Sequence, residues 1–198
     1  MHLLLKISRG IDAISEFIGR SALWLVLLMT LISAGNAIVR KTFNMSSNSL
    51  LEIQWYLFAA VFLLGGGYAF LRNEHVRIDF LSARFSARTR NWIDVVGILV
   101  FLFPMCYLLI NFSWPVAARA WESQEVSANA GGLIRWPVYA LIPIGFFALG
   151  VQGISELIKR LAFLTGNGPD PLQASRPATE TLPVDSGSEK ARDAGAAA

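Results

Sequence analysis

Cysteine occurs once in this chain, histidine twice, and only 16% of the residues carry a charge. The single thiol, Cys106, excludes an internal disulfide, and its place inside an apolar run marks it as a small buried hydrophobe. His2 and His75 fall outside the long apolar runs, which excludes a histidine pair holding a haem between membrane helices. No cysteine–histidine cluster has metal-ligand spacing, and no Gly-x-Ser-x-Gly elbow is present. No glycine run leads into the Lys-Ser/Thr pair of a phosphate-binding loop. The chain is therefore expected to be no enzyme and to carry no cofactor. A net charge of +3 and a pI near 9.3 invite nucleic acid as a partner. The placement argues otherwise: most lysines and arginines flank apolar segments, so no nucleic acid is expected.

Apolar residues are abundant instead. They make up 54% of the chain, with a mean hydropathy of +0.49, whereas a soluble domain carries roughly 25% charged residues. The lipid bilayer is the expected surrounding. Four runs are long enough to cross it as helices, at about residues 21–39, 50–71, 92–113 and 136–158. Ahead of them, Leu3, Leu4, Ile7, Ile11, Ile14 and Ile18 line one side of a helical wheel. Lys6, Arg9, Asp12, Glu16 and Arg20 line the other, the pattern of an amphipathic interfacial helix over residues 1–20. A cleaved signal peptide competes with this reading, but Asp12 and Glu16 interrupt its apolar stretch and no small-residue cleavage site comes after it. The expected fold is an all-α membrane protein: the amphipathic helix, a four-helix membrane domain over 21–164, and a disordered tail over 165–198. That tail is rich in Pro, Ala, Gly, Ser and Thr and has no apolar periodicity. Pro104 and Pro143 predict bends in the third and fourth spans, Trp114-Pro115 marks the end of the third, and Pro137 suits a first helical turn. Ser86 and Asp79 are placed to cap helices.

Charge placement orients the chain. Thirteen of the seventeen Lys and Arg residues lie in the N-terminus, the loop after the second span, and the chain that follows the fourth span from Lys159 on. By the positive-inside rule those segments, and both termini, are cytoplasmic. Trp24 and Trp92 then lie at the cytoplasmic interface, and Trp55, Trp114 and Trp136 at the opposite one. The carboxylates Glu52, Asp94 and Glu156 all sit near span ends, so no proton relay crosses the midplane. Four spans without an internal repeat or an interrupted helix pair make a poor stand-alone transporter. An accessory membrane subunit remains, against two alternatives: a self-assembling small channel, or a membrane enzyme of unknown chemistry. Asn36 and Glu52, near one membrane face, read as solvated structural groups, and Glu52 is placed to pair with Arg40, Lys41 or a partner residue.

The second span and the charged residues just after it carry the most specific pattern. Gly65, Gly66 and Gly67 offer close helix approach, within the bundle or toward a partner. The span stops at Arg72 and gives way to Glu74-His75-Val76-Arg77-Ile78-Asp79. His75, Arg77 and Asp79 alternate, as on one face of an extended segment. They read either as a polar clamp or as a helix cap with solvated bases. Together with Glu52, Gly65-Gly66-Gly67-Tyr68-Ala69, residues 121–127 (Trp-Glu-Ser-Gln-Glu-Val-Ser), Trp136-Pro137 and residues 142–146 (Ile-Pro-Ile-Gly-Phe), this pattern resembles the DctQ family. DctQ proteins are the small membrane subunits of tripartite ATP-independent periplasmic (TRAP) transporters, and the resemblance covers roughly residues 10–162. It implies a bacterial inner-membrane protein that binds a large membrane subunit of DctM type, in which the substrate and sodium sites lie. It also implies a periplasmic substrate-binding protein that delivers an organic acid, and a small subunit that enlarges the fixed scaffold. Glu52, the three glycines, Arg72, Glu74, His75, Arg77 and Asp79 are the candidate contact or structural motif. Glu122 and Glu125 are candidates for periplasmic docking, with a solvated loop as the alternative.

Overall fold

The computed structural model describes residues 2–43, 47–73 and 85–174. Glu74, His75, Arg77 and Asp79, with the cap expected at Asp79, lie outside the described residues.

Among the described residues, four helices are long and apolar enough to cross a membrane. Helix α1 runs His2–Phe43 without a break, so the amphipathic segment and the first apolar run form one element. No proline or turn sequence separates them. At 1.5 Å per residue α1 is about 63 Å long, twice the ~30 Å hydrocarbon core. Helix α2 spans Asn48–Leu71 and stops where Asn73 takes a left-handed φ of 54°.

Helix α3 covers Ala87–Ser123. Ser86 caps it as expected, its Oγ accepting from the Thr89 N–H at 3.2 Å. Residues Ile98–Leu102 form a wider π turn, with the Phe103 N–H donating to the Ile98 carbonyl. Pro104 follows one residue beyond it; its ring crowds the carbonyl four residues back, inside the turn, and a π turn is one way a helix takes up that strain. The helix then runs through Pro115 to Ser123, nine residues past the expected end at Trp114, and closes at Gln124 with φ 49°.

Helix α4 spans Trp136–Leu164, with Pro137 in its first turn and Pro143 inside. It ends at Gly166 (φ 75°), where the Asn167 N–H donates to the Ala162 carbonyl at 2.9 Å and the Gly166 N–H to the Phe163 carbonyl at 3.0 Å. The chain does not stray from there, although residues 165–174 were expected to belong to a disordered tail. Asp170 is buried, accepts from Asn91 Nδ2 at 3.1 Å and caps the short helix α5 (Pro171–Ala174) through the Leu172 N–H. One carboxylate thus docks the start of the tail onto α3.

Helix α4 is the central element, packing against α1, α2 and α3. Residue pairs set the directions: Glu52 meets Leu133 and Gly67 meets Ala148, so α2 and α4 run parallel, and α1 and α3 run opposite to them. Glycine permits the closest approaches. A Cβ on Gly145 would lie 2.8 Å from the Leu63 backbone, and one on Gly153 2.6 Å from the Leu102 side chain. The interior holds small residues (Cys106, Ala117, Ala120, Ala162), Val95 and Ile98, and polar ones, while most large apolar side chains point outward. That inversion suits lipid: acyl chains solvate leucine as well as a protein core does, whereas polar groups need partners inside.

Candidate functional site

Polar residues gather at the two ends of the bundle. Where α4 begins, the segment after α3 forms a narrow hairpin. The Ser127 N–H donates to the Leu133 carbonyl and the Arg135 N–H to the Glu125 carbonyl, each at 2.9 Å, around an isolated bridge between Val126 and Ile134. Gly131 supplies the left-handed φ of 72° that the turn needs. Glu52 of α2 holds this hairpin down. Only 4% exposed, it accepts from Ser127 Oγ at 2.5 Å, Asn129 Nδ2 at 2.7 Å and the Leu133 N–H at 2.7 Å. Asn48, Ser49 and Tyr56 of α2 donate to the carbonyls of Ala130, Gly131 and Ile134. Glu52 is thus neither solvated nor paired with Arg40 or Lys41: loop groups occupy the carboxylate. The segment that reads in sequence as a plain polar connection is bonded to α2 along its length. The signal that marks it is the turn set Ser127, Asn129, Gly131 and Gly132 between Val126 and Ile134. Asn36 is also buried, with its Oδ1 unpartnered.

Beside the hairpin lies an open groove of about 510 Å3 between the end of α3 and the start of α4, lined by Val116, Arg119, Ala120, Glu122, Ser123, Glu125 and Tyr139. It brings Glu122 and Glu125 together. Glu125 also pairs with Arg135 at 2.8 Å, and that hydrogen bond pushes the Arg135 guanidinium above its ordinary value. Trp121 at the end of α3 and Trp136 at the start of α4 meet edge to face at 4.6 Å.

At the opposite end, α1 presents Ser8, Asp12 and Ser15 on one stripe to Gln152, Ser155 and Lys159 of α4. Asp12 accepts from Gln152 Nε2 (3.0 Å), Ser155 Oγ (2.7 Å) and Lys159 Nζ (3.0 Å). Ser8 bonds Ser155 at 2.7 Å, and Ser15 donates to Gln152 Oε1 at 2.6 Å. Lys159 also pairs with Glu156 at 2.5 Å; Glu156 pairs with Arg160, and Arg160 reaches Asp94 of α3 at 3.2 Å. The hydrogen-bonded chain Asp12–Lys159–Glu156–Arg160–Asp94 therefore ties three helices together. A helical wheel puts Asp12 among solvated charges because it cannot see Gln152 or Ser155. Outside this chain, Glu16 pairs with Arg20 and with Arg72, both at 2.8 Å, which gives the candidate Arg72 a partner on α1.

The three candidate glycines divide. Gly67 is buried against Ala148, Ser15 and Gln152, whereas a Cβ on Gly65 or Gly66 would meet nothing within 4 Å. Among the described residues no group of three or more His, Cys, Asp or Glu is arranged to hold a metal ion.

The described residues thus form a four-helix bundle clamped at both ends, with a charged groove at one of them. The family described as "Tripartite ATP-independent periplasmic transporters, DctQ component" matches residues 29–163. The chain belongs to the DctQ family. A relative in Vibrio cholerae, named "C4-dicarboxylate TRAP transporter small permease protein DctQ", is 28% identical over 164 residues, 73% of this chain and 69% of the relative. No solved structure matches. As a DctQ-family small permease, the chain is a multi-pass membrane component of a TRAP transporter. The family match takes in Glu52, the hairpin and nearly all of α4, but begins beyond Ser8, Asp12 and Ser15 of α1.

Proposed function

We propose that this small permease is a fixed scaffold subunit in sodium-coupled uptake of an organic acid. It binds a large membrane subunit of DctM type, and a periplasmic binding protein delivers the solute. The observation that carries this reading is the engagement of its carboxylates. Asp12, Glu52 and Glu156 are all taken up by hydrogen bonds and ion pairs that hold the bundle together. Such groups stiffen a support rather than bind a passing ion. By the Lys and Arg bias the Glu52 end is periplasmic, in the bacterial inner membrane, and both termini are cytoplasmic. The groove beside Glu122 and Glu125 then faces the binding protein and offers it both signs of charge, since Arg119 and Arg135 adjoin it. The C4-dicarboxylate in the Vibrio relative's name makes a dicarboxylate the first solute to test.

Reconstitution into vesicles tests the reading. The purified chain alone is expected to move no dicarboxylate, with or without a sodium gradient. Uptake is expected when the large subunit, the binding protein and the gradient are all present. Solute-specific transport by the isolated chain would overturn the scaffold assignment.

A further inference from the structure

The outward faces of α3 differ in chemistry. One flank carries Phe101, Met105, Leu108 and Phe112, all exposed and wholly apolar, as lipid contact requires. The neighbouring flank, one helical stripe away, carries Tyr107 (67% exposed), Asn111 and Trp114. The third side, with Cys106, Ala117 and Ala120, is buried.

The polar stripe lies deep in the membrane. Between Asp94 and Arg119 the helix has 24 uncharged residues, and Tyr107 is at their centre. At 1.5 Å per residue Asn111 is about 6 Å from that centre, well inside a hydrocarbon core of ~30 Å. That depth takes Tyr107 and Asn111 out of the interfacial aromatic belt, whereas Trp114, about 11 Å from the centre, reaches toward it. Asn111 Nδ2 donates once, to the Tyr107 carbonyl at 2.8 Å. Among the described residues nothing donates to Asn111 Oδ1 or bonds the Tyr107 hydroxyl. Pro115, inside the same helix, supplies no N–H to the Asn111 carbonyl four residues earlier. An amide and a phenol left unpaired in acyl chains are costly, and lipid tails have nothing to offer them.

We propose that the Tyr107–Asn111–Trp114 face of α3 is where the large membrane subunit docks, through a transmembrane helix that brings hydrogen-bonding groups to Asn111 and Tyr107. The inference rests on the scaffold reading above and specifies its surface. The adjoining Phe101–Phe112 flank stays in lipid.

Photocrosslinking in the co-expressed complex tests it. A benzophenone amino acid at position 107 or 111 is expected to give an adduct with the large subunit, and one at 105 or 112 is not. In parallel, Asn111→Leu is expected to lower the large subunit recovered with the tagged chain by about three- to twentyfold, the range of one interhelical hydrogen bond in a membrane. The same variant should leave the melting of the isolated chain unchanged, and Phe112→Leu should leave recovery unchanged. Adducts at 112 but not 111, adducts between two copies of this chain, or undiminished recovery of Asn111→Leu would each overturn the docking face while the scaffold reading stands. If the unsubstituted chain recovers no large subunit, the scaffold reading fails, and this inference with it.

Discussion

Glu52 accepts hydrogen bonds from a loop more than seventy residues away in sequence, and no other carboxylate among the described residues gathers a loop in this way. Its three donors are arranged for an acceptor-only group, so the side chains that replace it differ in a predictable order. Glu52→Gln keeps one carbonyl oxygen but turns an NH2 toward another donor; Glu52→Ala removes the acceptor altogether. Limited proteolysis between Ser127 and Arg135 is expected to quicken roughly tenfold or more in Glu52→Ala, the scale of losing a hydrogen bond to a charged group, and less in Glu52→Gln. Unchanged cleavage in Glu52→Ala would mean that the backbone pairing of the hairpin holds it without help.

Helix α4 owes its central place to where it lacks side chains. At Gly145 the Leu63 backbone stands where a Cβ would go, and backbone cannot swing aside as a side-chain end does. Gly145→Leu must therefore push α2 off α4, an overpacking that costs about 1–3 kcal/mol or more. Gly65→Leu on α2 meets open space and avoids this cost. Thermal unfolding in detergent is expected to show Gly145→Leu melting several degrees lower, about 2–4 °C per kcal/mol for a chain of this size, with Gly65→Leu close to the parent. Equal melting of the two would show that α2 and α4 slide past each other without penalty.

The whole molecule is longer than the membrane it crosses. Helix α3 alone is 37 residues, about 55 Å, against a hydrocarbon core of ~30 Å, so its ends and those of α1 stand in the interfaces or beyond. The charged clusters occupy those ends: Asp12, Glu156, Lys159 and Arg160 at one, Arg119, Glu125 and Arg135 at the other. Reporter fusions near Asn129 are expected to read as periplasmic, and fusions after Ala174 as cytoplasmic. A periplasmic signal after Ala174 would require an odd number of crossings and would break the four-span arrangement.

Hydropathy alone sets the number of crossings, since twenty apolar residues have few other places to go, and the arginine and lysine bias alone sets the expected orientation. The glycine run and the motif after it, with the Trp- and Glu-bearing segment, were enough to indicate the family. Three things needed the folded chain. Periodicity told that Asp12 and Glu52 are polar but not which residues they meet, because that depends on the depth and rotation of each helix against its neighbours. Three adjacent glycines looked alike until packing put Gly67 inside and left Gly65 and Gly66 open. The start of the tail looked featureless because its docking hangs on one pair, Asp170 with Asn91, whose partners are seventy-nine residues apart. Local sequence carries the cost of putting a residue in lipid or water; which groups satisfy a buried carboxylate is a property of distances that exist only after the helices have packed.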